Sequence, residues 1–68
     1  MLRNTIRIKR AEHEFTQTQL AEAVGVTRQT IAFIEKGEFS PSITLSLKLA
    51  AALKTPIAEL FWIEEETE

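Results

Sequence analysis

The sequence predicts an all-α protein, a compact bundle of five short helices in 68 residues. Three observations carry that reading. Apolar residues recur at helical spacing in five separate stretches, and caps or breakers separate those stretches. No segment alternates convincingly with the two-residue period of a strand.

The first helix is expected over about residues 3–13. Ile6 and Arg10 share a face there, with Leu2 one turn earlier, while Arg3, Arg7 and Lys9 make the surface basic. His13-Glu14 interrupts the pattern, and Phe15 stands just before the next cap, placed to staple against Leu20. Thr16 and Gln19 have the spacing of a capping box, which opens a second helix over 17–24 that buries Leu20, Ala21 and Val24. Gly25 closes it, since a left-handed residue there carries no Cβ penalty.

Val26 then anchors the turn, and the Thr27 hydroxyl caps a third helix over 28–36. Ile31 and Ile34 point inward in this helix, while Arg28, Gln29 and Phe33 fall on its outer side. Small Ala21 allows the two helices to approach closely, as a helix-turn-helix requires. Glu38 to Ser42 reads as a loop, with Ser42 the cap of a fourth helix over 43–53. Leu45, Leu49, Ala52 and Leu53 form its buried side, with Lys48 outside. Thr55-Pro56 begins a fifth helix, about 57–62, by placing proline at its first position. Ile57, Leu60 and Phe61 supply its apolar face. One domain is expected over 1–63, followed by a frayed acidic tail over 64–68.

A chain this short buries only about 60% of its unfolded surface, so folding leaves little margin. There is no cysteine, so neither a disulfide nor thiolate zinc can staple the fold. Helix packing, dimerisation or both must compensate. No apolar run approaches the roughly 18 residues of a membrane span, and Arg3, Arg7, Lys9 and Arg10 interrupt any signal-like stretch. A cytoplasmic location is the expectation. Catalysis has almost no material: the chain lacks Asp and Cys, and His13 is the single histidine. Neither an enzyme, a metal site, a cofactor nor a small-molecule ligand is expected.

The net charge of −2 conceals an asymmetry. Residues 1–54 hold all eight Lys and Arg against five Glu, while 55–68 hold five Glu and no base. Salt screens charges beyond about 8–10 Å, so a duplex would respond to the local basic surface rather than the total.

The segments TQTQLAEAVGVTRQTIAFIEKG, FSPS, LKLAAAL and TPIAELF, in this order and spacing, resemble the Cro/repressor-type helix-turn-helix family, also called xenobiotic-response-element-like regulators. The match covers the chain to about Phe61 and is closest to minimal, single-domain members. The resemblance implies a lambda-repressor-like fold and a DNA-binding transcriptional regulator. It places the helix from Arg28 in the major groove, with Arg28, Gln29 and Phe33 where side chains reach base edges. It puts Gln17, Thr27, Thr30, Ser40 and Ser42 at the sugar-phosphate backbone, and pairs Arg10 with Glu35 as a structural ion pair. Three positions depart from the family pattern: Lys9 stands where leucine is usual, Glu14 where glycine is frequent, and Glu38 where a base is common.

The residue chemistry agrees with those positions. Arg28 has the planar fork that pairs with guanine O6 and N7, and Gln29 the amide that pairs with adenine N6 and N7. The Phe33 ring can pack on a thymine methyl. Gln17 opens its helix, where unpaired N–H groups attract an anion. Phe61, Trp62 and Ile63 concentrate large apolar groups at the end of a small domain, which suits a two-fold dimer patch anchored by Trp62. The expected activity is sequence-specific binding of double-stranded DNA at a palindromic operator by a homodimer, with repression as the family's usual outcome. The alternative is an antitoxin-like protein-interaction module that uses the same fold and the acidic C-terminus.

Overall fold

A computed structural model describes residues 1–65. Five helices follow one another, flanked by two short strands: β1 (Leu2–Asn4), α1 (Ile6–Glu12), α2 (Gln17–Val24), α3 (Arg28–Lys36), α4 (Ile43–Ala52), α5 (Ile57–Leu60) and β2 (Phe61–Ile63). The class is essentially all-α. Expected and observed bounds coincide for α2 and α3, and α4 stops one residue early because Leu53 serves as its C-cap.

Both ends of the chain differ from expectation. Residues 3 and 4 do not join the first helix, and the fifth helix stops at Leu60. The chain termini instead pair as an antiparallel ribbon, with Leu2 opposite Ile63, Arg3 opposite Trp62 and Asn4 opposite Phe61. Local pattern does not disclose such strands, because three residues are too few to display an alternation. The break before α1 has a visible cause. The Asn4 side chain accepts from the Ile6 N–H at 3.1 Å and donates to the Ile34 carbonyl at 2.9 Å, diverting the backbone from helix. Thr5 turns its hydroxyl to the Glu59 carbonyl, 2.8 Å away, rather than capping α1. Pro56 stands at the N-cap of α5, one place before the position expected for it.

The acidic segment begins hydrogen-bonded to the first residue of the chain. Glu64 exchanges two backbone hydrogen bonds with Met1, at 2.8 and 3.0 Å, and its carboxylate lies 3.7 Å from Arg3. Within the expected tail over 64–68, Glu66, Thr67 and Glu68 lie outside the described residues.

The core is one cluster of Ile6, Leu20, Ala21, Val24, Ile31, Ile34, Leu49, Leu53 and Leu60, so every helix contributes at least one side chain. Phe15, Val26, Leu45, Ala52 and Phe61 pack around it, half-buried. Ser46 is buried although the expected inner face omitted it, and its hydroxyl donates to the Ser42 carbonyl at 2.8 Å. Among the described residues no helix is long and apolar enough to cross a membrane.

Candidate nucleic-acid interface

The α2–turn–α3 unit is built by local chemistry. Thr16 and Gln19 complete a reciprocal capping box: the Thr16 hydroxyl accepts from the Gln19 N–H at 3.0 Å, and the Gln19 side chain accepts from the Thr16 N–H at 2.9 Å. Gly25 ends α2 with φ at +79°, the left-handed region that glycine tolerates best. The Thr27 hydroxyl then accepts from the Thr30 N–H at 3.2 Å and opens α3. Ile31 and Ile34 are fully enclosed beneath that helix, and Ala21 on α2 is buried in the same core cluster. The opposite side of α3 is left to solvent. Arg28 and Gln29 are exposed, and Phe33 is 39% exposed.

A hydrogen-bonded chain runs behind this exposed side. Arg10 Nε on α1 donates to Glu35 Oε2 on α3 at 2.7 Å, and Arg10 Nη1 donates to the Phe15 carbonyl at 2.9 Å. Gln17 Nε2 on α2 donates to the other Glu35 oxygen at 3.0 Å. Arg28 Nη1 in turn donates to Gln17 Oε1 at 3.0 Å. The side chains of Arg10 and Glu35 are only 18% and 7% exposed, so the pair sits where a lost partner is poorly replaced by water. Both oxygens of the Glu35 carboxylate are therefore occupied, and three helices are tied to the first residue of α3.

Each expected contact residue has a definite place. Arg28, Gln29 and Phe33 lie together on α3, and Arg10 pairs with Glu35 as expected. Gln17 has a second duty that the sequence did not disclose: its amide is already bonded at both ends, leaving one Nε2 hydrogen to donate outward. The hydroxyls of Thr27 and Thr30 lie 3.0 Å apart and share a hydrogen bond. Ser40 is exposed in the loop, while the Ser42 hydroxyl accepts from the Leu45 N–H at 3.1 Å and keeps its own hydrogen free. Trp62 and Ile63 are 42% and 67% exposed, but Phe61 packs against the core and offers less surface than its neighbours.

Two basic residues emerge that were not assigned as contacts. Arg7 and Lys36 line one shallow depression with Arg10, Gln17, Ala32 and Glu35, so cations from α1 and α3 flank the network on its open side. Spacing alone could not reveal this, since the two residues belong to different helices. Glu38 is exposed just past α3 and brings negative charge to that end.

Comparison with known proteins agrees with this architecture. Residues 6–60 match the helix-turn-helix family. The chain is 45% identical over 65 residues to the HTH-type transcriptional regulator YgzD of Bacillus subtilis, itself uncharacterized, with 96% of this chain and 98% of YgzD covered. It is 38% identical over 60 residues to the cryptic phage CTXphi transcriptional repressor RstR of Vibrio cholerae, covering 88% of this chain and 54% of RstR. The crystal structure of the restriction-modification controller protein C.AhdI from Aeromonas hydrophila superposes with a TM-score of 0.74 at 31% identity, covering 79% of this chain and 82% of that one. The chain thus belongs to the Cro/C1-type helix-turn-helix family: it is a transcriptional regulator with a DNA-binding fold, and not an enzyme.

Proposed function

We propose that this regulator binds a palindromic operator as a homodimer, reads it through the major groove with α3, and represses the promoter it occupies. The observation that carries the reading is the outer side of α3. Arg28, Gln29 and Phe33 stand exposed on a helix whose inner side is anchored by Ile31 and Ile34. Groups meant to read bases must be held rigidly, because a loosely held side chain loses entropy on binding. Gln17 supplies that restraint for Arg28, and its remaining N–H can meet a phosphate.

Backbone contacts set the register and base-edge contacts choose the sequence. Thr27, Thr30, Ser40 and Ser42 are the proposed hydroxyl donors to the backbone, with Arg7 and Lys36 adding charge. Arg28 is assigned to guanine, Gln29 to adenine and Phe33 to a thymine methyl. Two copies would set their reading helices about 34 Å apart, one turn of the duplex. Repression is favoured by the relationship to RstR, a transcriptional repressor.

Selection of bound duplexes from a random library tests the reading. The expected product is an inverted repeat with half-sites one helical turn apart, whose affinity falls steeply with salt because displaced counterions drive binding. Recovery of no enriched sequence, with retention on heparin unaffected by salt, would favour the protein-interaction module instead.

A further inference from the structure

The helix α4 is apolar nearly all round, which a helix on the outside of a monomer ordinarily is not. Of its ten residues only Thr44, Ser46 and Lys48 are polar, and Ser46 is buried. Leu49 and the C-cap Leu53 face the core. Successive positions advance by about 100° around a helix, so Ile43, Leu47 and Ala51 form one stripe turned away from that core. Ile43 is 69% exposed, Leu47 is 54% exposed, and Ala51 is exposed as well. By contrast the exposed side of α3 is mainly polar, with Arg28, Gln29 and Lys36 beside one large apolar residue, Phe33. Nothing in the DNA reading uses the α4 stripe. It lacks the cations a phosphate backbone needs, and Glu38 lies just ahead of it.

We propose that this stripe is where the second copy of the chain docks, through antiparallel contact of α4 with its own twin about a two-fold axis at Leu47. The inference rests on the homodimer of the proposed function and assigns its surface. A two-fold contact must be self-complementary, and the stripe is. With Leu47 on the axis, large Ile43 of each copy meets small Ala51 of the other, which lets the helices close without a gap. The ends are complementary in charge: Glu38 precedes the helix and Lys54 follows it, so each acid approaches the twin's base. The antiparallel arrangement also sets each helix N-terminus beside the opposing C-terminus, as the helix dipoles favour.

The ribbon is the poorer candidate on the same criteria. Strand β2 is three residues long and runs directly into Glu64 and Glu65, with Glu59 just before it. A two-fold pairing of β2 would gather these carboxylates at both ends, where like charges oppose one another.

The absence of cysteine makes the assignment directly testable by cross-linking. Helix axes about 8–10 Å apart bring facing Cα atoms to roughly 5 Å, within disulfide range. Purified Leu47→Cys, oxidised without DNA, is expected to run as a covalent dimer on a non-reducing gel, and Trp62→Cys as a monomer. Ile43→Glu with Leu47→Glu should raise the dimer dissociation constant at least tenfold by analytical ultracentrifugation while the far-UV circular dichroism spectrum is kept, since both residues are exposed. Cross-linking by Trp62→Cys but not by Leu47→Cys would overturn the assignment and leave the homodimer standing. A wild-type chain that sediments as a monomer, alone and on selected operator duplex, would overturn the homodimer itself.

Discussion

Gln17 holds Arg28: the guanidinium donates to the Gln17 side-chain carbonyl at 3.0 Å, joining the first residue of α3 to the first residue of α2. Because the Gln17 amide also donates to Glu35, the orientation of Arg28 is coupled through two bonds to the Arg10–Glu35 pair. A surface arginine on its own would sample many rotamers, and this one is restrained before DNA arrives.

Gln17→Ala is therefore expected to weaken operator binding by about 1–3 kcal/mol, and to lower thermal stability by less than loss of Arg10 does, since Glu35 keeps its Arg10 partner while one carboxylate oxygen loses a donor. It removes a proposed phosphate contact and the restraint on Arg28 together. Quantitative gel shifts beside thermal melts separate the loss of affinity from any loss of stability. Unchanged affinity would show that neither role matters.

Arg28→Ala should cost about 1–3 kcal/mol of binding and relax the base preference at one position of each half-site. Lys36→Ala should weaken binding to all duplexes alike and make the salt dependence shallower, as loss of a backbone contact does. Titration of a panel of single-base operator variants, over a salt series, distinguishes these two signatures. A full retention of specificity in Arg28→Ala would remove that residue from base reading.

Replacement of either member of the Arg10–Glu35 pair strikes the fold first. Arg10→Ala abandons both the Glu35 carboxylate and the Phe15 carbonyl, and Glu35→Ala strands Arg10 and Gln17. A loss of roughly 3 kcal/mol of stability is expected for each, because a poorly hydrated partner is left unpaired. Chemical denaturation at one protein concentration measures it. A variant that unfolds at the wild-type midpoint would show that the pair contributes nothing net.

Two left-handed residues should respond in opposite directions. Gly25 has φ at +79° with nothing within 4 Å of an added Cβ, so Gly25→Ala meets only the conformational penalty, about 1 kcal/mol. Glu14 has φ at +59° without the freedom of glycine, and Glu14→Gly should raise stability by up to about 1 kcal/mol. In a domain of this size 1 kcal/mol moves the Tm by roughly 4–8 °C. Melts of both variants at matched concentration decide the sign. The family resemblance anticipates the second result, since glycine is frequent where Glu14 stands.

Much of the helix-turn-helix was legible in the amino-acid order because its signals are local. A hydroxyl three residues before an amide makes a cap at Thr16, Thr27 and Ser42, and glycine after an apolar run makes the stop at Gly25. The spacing of Leu20, Ala21 and Val24, then Ile31 and Ile34, selects which side of each helix is buried. Those features act within one helical turn, and the bounds of α2 and α3 followed from them directly. The outward set Arg28, Gln29 and Phe33 is their geometric consequence.

The order of residues therefore determined the helix pair and its inner and outer sides, while contacts between distant segments were settled only by folding. Leu2 meets Ile63 across almost the entire chain, and neither three-residue strand has a pattern of its own. Asn4 finds the Ile34 carbonyl, Gln17 finds Glu35 and Arg28, and Ile43 with Leu47 remains uncovered, each through the relative placement of helices. The physical reason is one of range. Caps and periodicity are satisfied by neighbours along the chain, whereas a strand pair or a side-chain bridge is stabilising only after core packing has brought remote segments within hydrogen-bonding distance.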